Sequence, residues 1–361
     1  MKTTNSIGFV LALALGATAA GCATESSTMP GGDDGAGDGD SGDGSGGGKD
    51  QKPLDAAGTY AMHSTFDLAT NMPGTAGDVV NTIIDATDDS DDPTHWILDQ
   101  IISQITNDAI RSGLQEAEPF VAGFLNDKLL DAAPAFVRTM VAVGHNFGAI
   151  ARNFGLNETF VLTGSGGSYT AVHTITGAHF KLGTQESDFL LSTYHVPNVV
   201  VNDVAVTMDP TGQLTIASHD IPLAYGKLLK LGLDAAIIPA LDPSAHSLNE
   251  LFAHKLDCDL IGTAVYDGIA GYTGFHIGSA QLFIDACKRG RDAAASFVYA
   301  KIDSIDLGAA LQFGINGTAR AMDRDNDRTI DAIVTGTWDG TLSYGSTPTP
   351  LVPATFFGER M

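Results

Sequence analysis

The stretch over residues 332–344 constrains the fold more than any other part of the chain. Apolar residues and glycines occupy every second position, and polar residues fill most of the positions between them. A period of two places the two sets on opposite faces of a strand, so one face is expected to be apolar and the other solvated. Gly336 and Gly340 flank Trp338, which leaves room for the indole and for bending. The pattern predicts a strand of a curved or barrel-forming sheet.

Alternation of the same kind predicts further strands. It runs over residues 60–68 and 311–315, and two hairpins are expected, one around Gly164–Ser168 and one around Asp209–Gly212. Two stretches with helical spacing interrupt these strands. Helices of the first block are expected to begin at Pro93, Pro119 and Pro134.

The second helical block begins at Ser247-Leu-Asn-Glu250, which is a capping box, and ends in a long helix that carries Cys287. Strands therefore precede, separate and follow two groups of helices. This order predicts one α+β domain over residues 58–361, with a curved antiparallel sheet of roughly eight strands and two inserted helical blocks.

The amino-terminal residues predict export. An apolar run over residues 7–15 follows Lys2 and is shorter than the ~20 residues that span a membrane. Residues 1–21 are therefore interpreted as a signal peptide. The signal peptide ends in Ala19-Ala20-Gly21, and these residues together with Cys22 resemble the bacterial lipobox. The resemblance implies cleavage before Cys22, lipidation of its thiol, and a lipid-anchored position in the bacterial cell envelope, at the outer membrane or cell surface. An ordinary signal peptide with a chance cysteine is the alternative.

Residues 22–57 consist largely of Gly, Asp and Ser and predict a disordered tether with a reach of about 30 Å. The whole chain has 43 acidic and 19 basic residues and a net charge of −24. This balance argues against nucleic acid as a partner and against electrostatic attachment to an anionic membrane. Attachment to the membrane is therefore expected through the lipid on Cys22 alone.

Two cysteines remain, Cys258 and Cys287. Since an exported chain meets an oxidising environment, we expect a disulfide bond between them, with two buried free thiols as the alternative.

An acidic loop between the last long strands is a candidate metal site. Carboxylates at alternate positions repel one another unless a hard cation neutralises them, and the spacing suits Ca²⁺. The loop resembles the strand-loop-strand calcium loop of integrin-type β-propeller repeats, although Arg328 stands where that family usually has Gly. A solvated turn balanced by nearby arginines is the alternative. The expected ligands are Asp323, Asp325, Asp327, the carbonyl of Thr329, and Asp331.

Catalytic motifs are scarce. The chain has neither His-Glu-x-x-His nor Gly-x-Ser-x-Gly, and its ten histidines are scattered. His173 and His179 fall on an expected strand and His219 at a strand end, and each is interpreted as an ordinary satisfied histidine. The sequence favours a protein without catalytic activity, with an exported hydrolase as one alternative, since catalytic groups can assemble in space alone.

Three short segments are similar to those of lipocalin-like barrels: Gly58-x-Tyr60, Gly336-Thr-Trp338 and Phe356-Phe-Gly-Glu-Arg360. The order of apolar helices and curved strands is also similar to tubular lipid-binding domains. Both resemblances imply a hydrophobic ligand. We therefore expect a non-enzymatic lipoprotein that binds such a ligand or serves a structural role, and a calcium-dependent adhesion module is a further alternative.

Overall fold

The computed structural model describes residues 53–88, 134–274, 276, 278–308, 310–345 and 347–361. The expected signal peptide, Cys22 and nearly all of the expected tether lie outside these ranges. So do the two helices expected to begin at Pro93 and Pro119.

Ten strands and two groups of helices follow one another along the described chain. The strands are β1 (Gly58–Phe66), β2 (Phe154–Ser165), β3 (Ser168–Leu182), β4 (Gln185–Leu190), β5 (Val199–Met208), β6 (Gln213–Leu223), β7 (Leu311–Met322), β8 (Ala332–Tyr344), β9 (Thr347–Pro350) and β10 (Ala354–Arg360).

The first helical group, between β1 and β2, comprises α1 (Gly74–Asp88) and α2 (Pro134–Arg152). The second group lies between β6 and β7. It comprises α3 (Tyr225–Leu231), a π-helix (Gly232–Ile237), α4 (Ile238–Leu241), α5 (Leu248–Lys255), α6 (Cys258–Thr273) and α7 (Ala280–Gly308). None of the helices in the described ranges has a stretch long and apolar enough to cross a membrane.

The sheet closes into an antiparallel barrel of eight strands. Its order is β1-β2-β3-β5-β6-β7-β8-β10, and β10 pairs with both β8 and β1. The two remaining strands extend the barrel wall, since β4 pairs with β3 and β9 with β8. The expected α+β class, curved sheet and two inserted helical blocks are confirmed. The barrel is loosely compatible with a lipocalin-like fold.

The two ends of the barrel differ in character. Phe66 pairs with Phe154 and Leu223 with Leu311, so both helical groups connect strands at the same end, here called the helix end. Tight turns join β2 to β3 and β5 to β6 at the opposite end, here called the turn end. The acidic loop between β7 and β8 also lies at the turn end.

The inner face of the barrel is filled by large side chains. Trp338 is fully buried and stacks on Phe356 with ring centroids 4.2 Å apart. A Cβ atom at Gly317 would lie 2.5 Å from the Trp338 ring, and one at Gly336 would lie 2.5 Å from Phe356. The glycine that admits the indole is therefore Gly317 on the neighbouring strand, whereas Gly336, expected to make this room, admits Phe356.

The disulfide bond between Cys258 and Cys287 is present, with an S–S distance of 2.03 Å and Cα atoms 5.5 Å apart. It joins the start of α6 to α7. The sequence pattern does not separate α6 from α5, the helix that the capping box begins. The Ser247 half of that box forms, because the Glu250 amide donates to Ser247 Oγ at 3.2 Å. The Glu250 side chain accepts from the amide of His246 at 2.8 Å, one residue before the position that a capping box uses.

Candidate functional site

The acidic loop at the turn end brings three carboxylates together. One oxygen each of Asp323, Asp325 and Asp327 lies within 4.8 Å of the others. Asp323 is half-buried and the other two are exposed. Because hard cations prefer closely spaced carboxylate oxygens, these three residues could hold a metal ion.

Backbone amides hold the loop in shape. Arg328 N donates to Asp323 Oδ2 at 2.9 Å, and Thr329 N donates to Asp327 Oδ1 at 2.6 Å. Arg328 has a φ of 74°, the left-handed conformation that glycine adopts readily. The tight turn thus forms without the glycine usual in calcium loops, at a cost of about 1–2 kcal/mol for a residue with a side chain.

The other two expected ligands have different surroundings. Asp331 Oδ2 accepts a hydrogen bond from Arg324 N at 2.7 Å and is not part of the three-carboxylate group. Thr329 forms a parallel bridge with Asp55, just before β1. Within the described residues, Asp323 Oδ1 is buried and has no hydrogen-bond partner. This oxygen is therefore open to a ligand that the described residues do not supply.

A second group of polar side chains lies inside the barrel, where the alternating strand pattern predicts apolar packing. Trp338 Nε1 donates to Ser64 Oγ at 2.9 Å, and this hydroxyl donates to Glu158 Oε2 at 3.0 Å. His173 Nε2 lies 3.1 Å from the same carboxylate oxygen. The other ring nitrogen of His173 lies 3.0 Å from His219 Nε2. Five strands thus contribute to one chain of polar contacts, here called the barrel network.

The hydrogen bonds of the barrel network fix where its protons lie. His219 Nδ1 is 2.9 Å from the Ala217 carbonyl, so this nitrogen carries a proton and the Nε2 of a neutral ring is an acceptor. His173 Nδ1 must then be the donor between the two rings. His173 Nε2 lies 3.1 Å from Glu158 Oε2 but makes no hydrogen bond within the described residues. The arrangement places a buried imidazole ring beside a buried carboxyl group.

The environment differs along the barrel network. The side chains of Glu158 and His173 are 0% exposed, whereas His219 is half-buried and lies towards solvent. Burial, followed by the nearby charge of His173, lowers the pKa of His219 below its ordinary 6.5, although the Ala217 carbonyl and Glu158 act in the opposite direction. Glu158 Oε1 is buried with no partner among the described residues.

The barrel network does not have the arrangement of a hydrolase. Ser64 is buried and its Oγ contacts a carboxylate and an indole, so the serine–histidine hydrogen bond of serine hydrolases does not occur in this network. Farther along β3, His179 pairs with the exposed Asp188 at 3.0 Å, in keeping with its interpretation as an ordinary surface histidine. His219 lies inside β6, and not at a strand end as expected.

A cleft of about 360 Å³ opens at the helix end. The end of β3 and the start of β4 form one wall, and the π-helix, α4 and Pro243 form the other. Seven lining residues are apolar and two are polar: Phe180, Leu182, Ala235, Ala236, Pro239, Ala240 and Pro243, with Gln185 and Ser187.

Comparison with known proteins gave no match to this chain, whether among protein-family models, curated proteins or solved structures.

Proposed function

We propose that this chain is a non-enzymatic, lipid-anchored protein of the bacterial envelope that binds a single acyl chain or similar small amphipathic molecule. The observation that carries the proposal is the cleft at the helix end. Its volume of about 360 Å³ lies in the lower part of the ~300–1,000 Å³ range of small-molecule sites. Short Ala and Pro side chains on one wall leave space for the apolar part of such a ligand.

The cleft is a better candidate for this ligand than the barrel interior. Trp338 and Leu342 lie on the face of β8 that was predicted to be apolar. Both residues are 0% exposed, and Trp338 is packed against Phe356. In the cleft, by contrast, Gln185 and Ser187 offer polar partners for a head group beside apolar walls.

Binding is tested with purified protein by calorimetry, using laurate as the probe. Ala240 is an exposed residue of the cleft, so Ala240→Trp fills the space without disturbing the core. We expect laurate to bind the unmodified protein and to lose at least tenfold in affinity for Ala240→Trp. Ala300→Trp, at an exposed position of α7, is the matched control and should bind normally. If laurate does not bind, or binds both variants equally, the cleft is not the site and a structural role remains.

Attachment is proposed through lipid on Cys22, with the acidic tether between the anchor and the folded domain. Support comes from the lipobox-like residues before Cys22 and from the net charge of −24, which disfavours electrostatic attachment to an anionic surface. The expected result is that the protein partitions into detergent and that Cys22→Ser moves it to the soluble fraction. Extraction of the unmodified protein by salt alone would contradict a lipid anchor.

For the acidic loop, we propose Ca²⁺ as the ion and stability as its role. Three carboxylates in one turn and the buried Asp323 Oδ1 support a hard cation with oxygen ligands. A cation that binds only the folded loop stabilises it by about 2.7 kcal/mol at a hundredfold excess over Kd. Extracellular calcium sites bind at ~10⁻⁴–10⁻³ M, so millimolar Ca²⁺ is the appropriate probe.

The test compares melting temperatures in Ca²⁺ and in chelator. Asparagine at positions 325 and 327 keeps the side-chain oxygens that accept loop amides and removes two charges. Asp325→Asn with Asp327→Asn should therefore abolish the rise in Ca²⁺ without lowering the melting temperature in chelator. Asp267→Asn with Asp339→Asn, two exposed acids elsewhere, should leave the rise intact. Equal melting of the unmodified protein in both buffers would show that the loop is an ordinary acidic turn.

A further inference from the structure

The cleft at the helix end has a buried end and an exposed mouth. Phe180 and Ala236, at the buried end, are 1% and 9% exposed. Gln185, Ala240 and Pro243 are exposed and form the mouth. An apolar chain gains most free energy where it is removed from water. The tail of a bound amphipathic molecule is therefore expected at the buried end, with its head group towards the mouth.

Strand β4 supplies two polar side chains to the head group. Gln185 and Ser187 lie two positions apart on β4, so both point into the cleft. Gln185 pairs with Leu182, whereas Ser187 pairs with the buried Phe180 and lies deeper. Two residues of strand separate them by about 7 Å. Neither side chain hydrogen-bonds to another described residue, so both can bind a ligand at two separate points.

The sheet side of the cleft offers no cation to a ligand. All nine lining residues are uncharged. Lys181 and Glu186 alternate with the lining residues along β3 and β4 and therefore lie on the opposite face of this hairpin. There, Lys181 Nζ donates to Glu186 Oε1 at 2.7 Å. The positive charge nearest to the cleft on this side is thus paired with an acid.

The helix side of the cleft carries acids. Asp234 and Asp242 each adjoin a lining residue in sequence. Asp234 Oδ1 accepts from the Tyr299 hydroxyl at 2.6 Å, and Asp242 Oδ2 lies 3.0 Å from Lys255 Nζ. Together with the net charge of −24, these acids make the surroundings negative. A ligand carboxylate would enter the cleft without a described cation to pair with, which is unfavourable.

We infer that the cleft takes a monoacylglycerol, the neutral glycerol monoester of a fatty acid, in preference to the free fatty acid. This inference rests on the proposed binding of an acyl chain in the cleft and specifies the head group. The ester carbonyl accepts from the Ser187 hydroxyl, and the glycerol hydroxyls hydrogen-bond to the Gln185 amide at the mouth. The ester and the terminal hydroxyl are several bonds apart, as the separation of the two side chains requires. A free fatty acid has a single polar group, and this group is charged.

Calorimetry with two probes of equal chain length tests the preference. Laurate and 1-monolauroylglycerol are titrated into purified protein at pH 8, below the concentrations at which they form micelles. Laurate is ionised there, because the pKa of an ordinary carboxyl group is about 4.3. A hydrogen bond changes affinity by roughly two- to tenfold, so we expect monolauroylglycerol to bind at least tenfold more tightly.

The outcomes separate this inference from the proposed function. Equal affinities, or tighter binding of laurate, would overturn the preference and leave the cleft as an acyl-chain site. If neither probe binds, the proposed function fails and the preference fails with it. Tighter binding of monolauroylglycerol that Ala240→Trp does not weaken would place the selective site outside the cleft and refute the inference.

A double variant tests the two polar side chains. Gln185→Met with Ser187→Ala removes their hydrogen-bonding groups with little change in size. Monolauroylglycerol should lose about tenfold in affinity, whereas laurate should change by less than about threefold. Gln213→Met with Ser165→Ala, at exposed positions of the turn end, is the matched control and should bind both probes normally. An unchanged preference in the Gln185 and Ser187 variant would show that these residues do not select the head group.

The sign of the charge at the mouth provides a second test. Gln185→Lys introduces a cation beside the expected head group and should tighten laurate by up to about fivefold, the effect of an exposed ion pair. Gln185→Glu is the matched variant of opposite charge and should weaken laurate. Monolauroylglycerol, which is neutral, should not distinguish lysine from glutamate at this position. If laurate binds both variants equally, the head group does not lie at Gln185 and the inference is wrong.

Discussion

Replacing Glu158 by Gln tests how much the buried carboxyl group stabilises the barrel core. A glutamine oxygen can still accept from Ser64, so the substitution preserves the shape. It removes the carboxylate from beside the Ser64 hydroxyl and the fully buried His173 ring. A hydrogen bond to a charged group contributes about 1.5–3 kcal/mol. We expect Glu158→Gln to lower the free energy of unfolding by about this amount at neutral pH.

The assay is urea unfolding followed by circular dichroism, with the midpoint compared at constant m-value. A double variant, Glu158→Leu with His173→Phe, is the informative control. It replaces both partners with apolar groups beside Trp338, whose ring now stacks on His173 at 5.9 Å. Because removing a whole buried pair is often nearly neutral, the double variant should cost less than Glu158→Gln alone. A cost below about 1 kcal/mol for Glu158→Gln would refute a charged hydrogen bond between Ser64 and Glu158.

Three further outcomes follow from the fold. Replacing both disulfide cysteines by serine, which opens a loop of 29 residues, should cost about 3–4 kcal/mol in urea unfolding, and no change in midpoint would contradict this. Gly336→Ala should cost about 1–3 kcal/mol through its clash with Phe356, whereas Gly271→Ala, with open space around it, should not destabilise the protein. Burial raises the pKa of Tyr60 to about 12, so stability should fall as pH rises from 10 to about 12, and Tyr60→Phe should flatten that fall.

The barrel wall could be predicted from the sequence because its strands carry a local signal. The period of two in β8 places Trp338 and Leu342 inside, and both are fully buried. Closure could not be predicted, since it depends on β10 pairing with both β8 and β1, and β1 lies at the other end of the described chain. The sequence of either strand alone does not indicate which distant strand it pairs with.

The barrel network was missed for a related reason. Ser64, Glu158 and His173 each place a polar side chain at a buried strand position, and Ser64 falls directly in the apolar series of β1. A polar residue on an inner face is the signal that could have identified them. The hydrogen bond between Ser64 and Glu158 joins residues 94 positions apart, however, and a single sequence does not reveal such a contact. The cleft likewise depends on how α4 packs against β3 and β4, which no local pattern specifies.

The bridge between Asp55 and Thr329 has a mechanical consequence. Asp55 N donates to Arg328 O at 2.8 Å, Ile330 N donates to Asp55 O at 2.9 Å, and Arg360 donates to the Ala57 carbonyl at 2.7 Å. A pulling force applied from the amino-terminal side therefore reaches these contacts before it reaches β1. The acidic loop therefore holds the segment at Asp55 where the force is applied. A cation that stiffens the loop would raise the force at which the barrel begins to unfold.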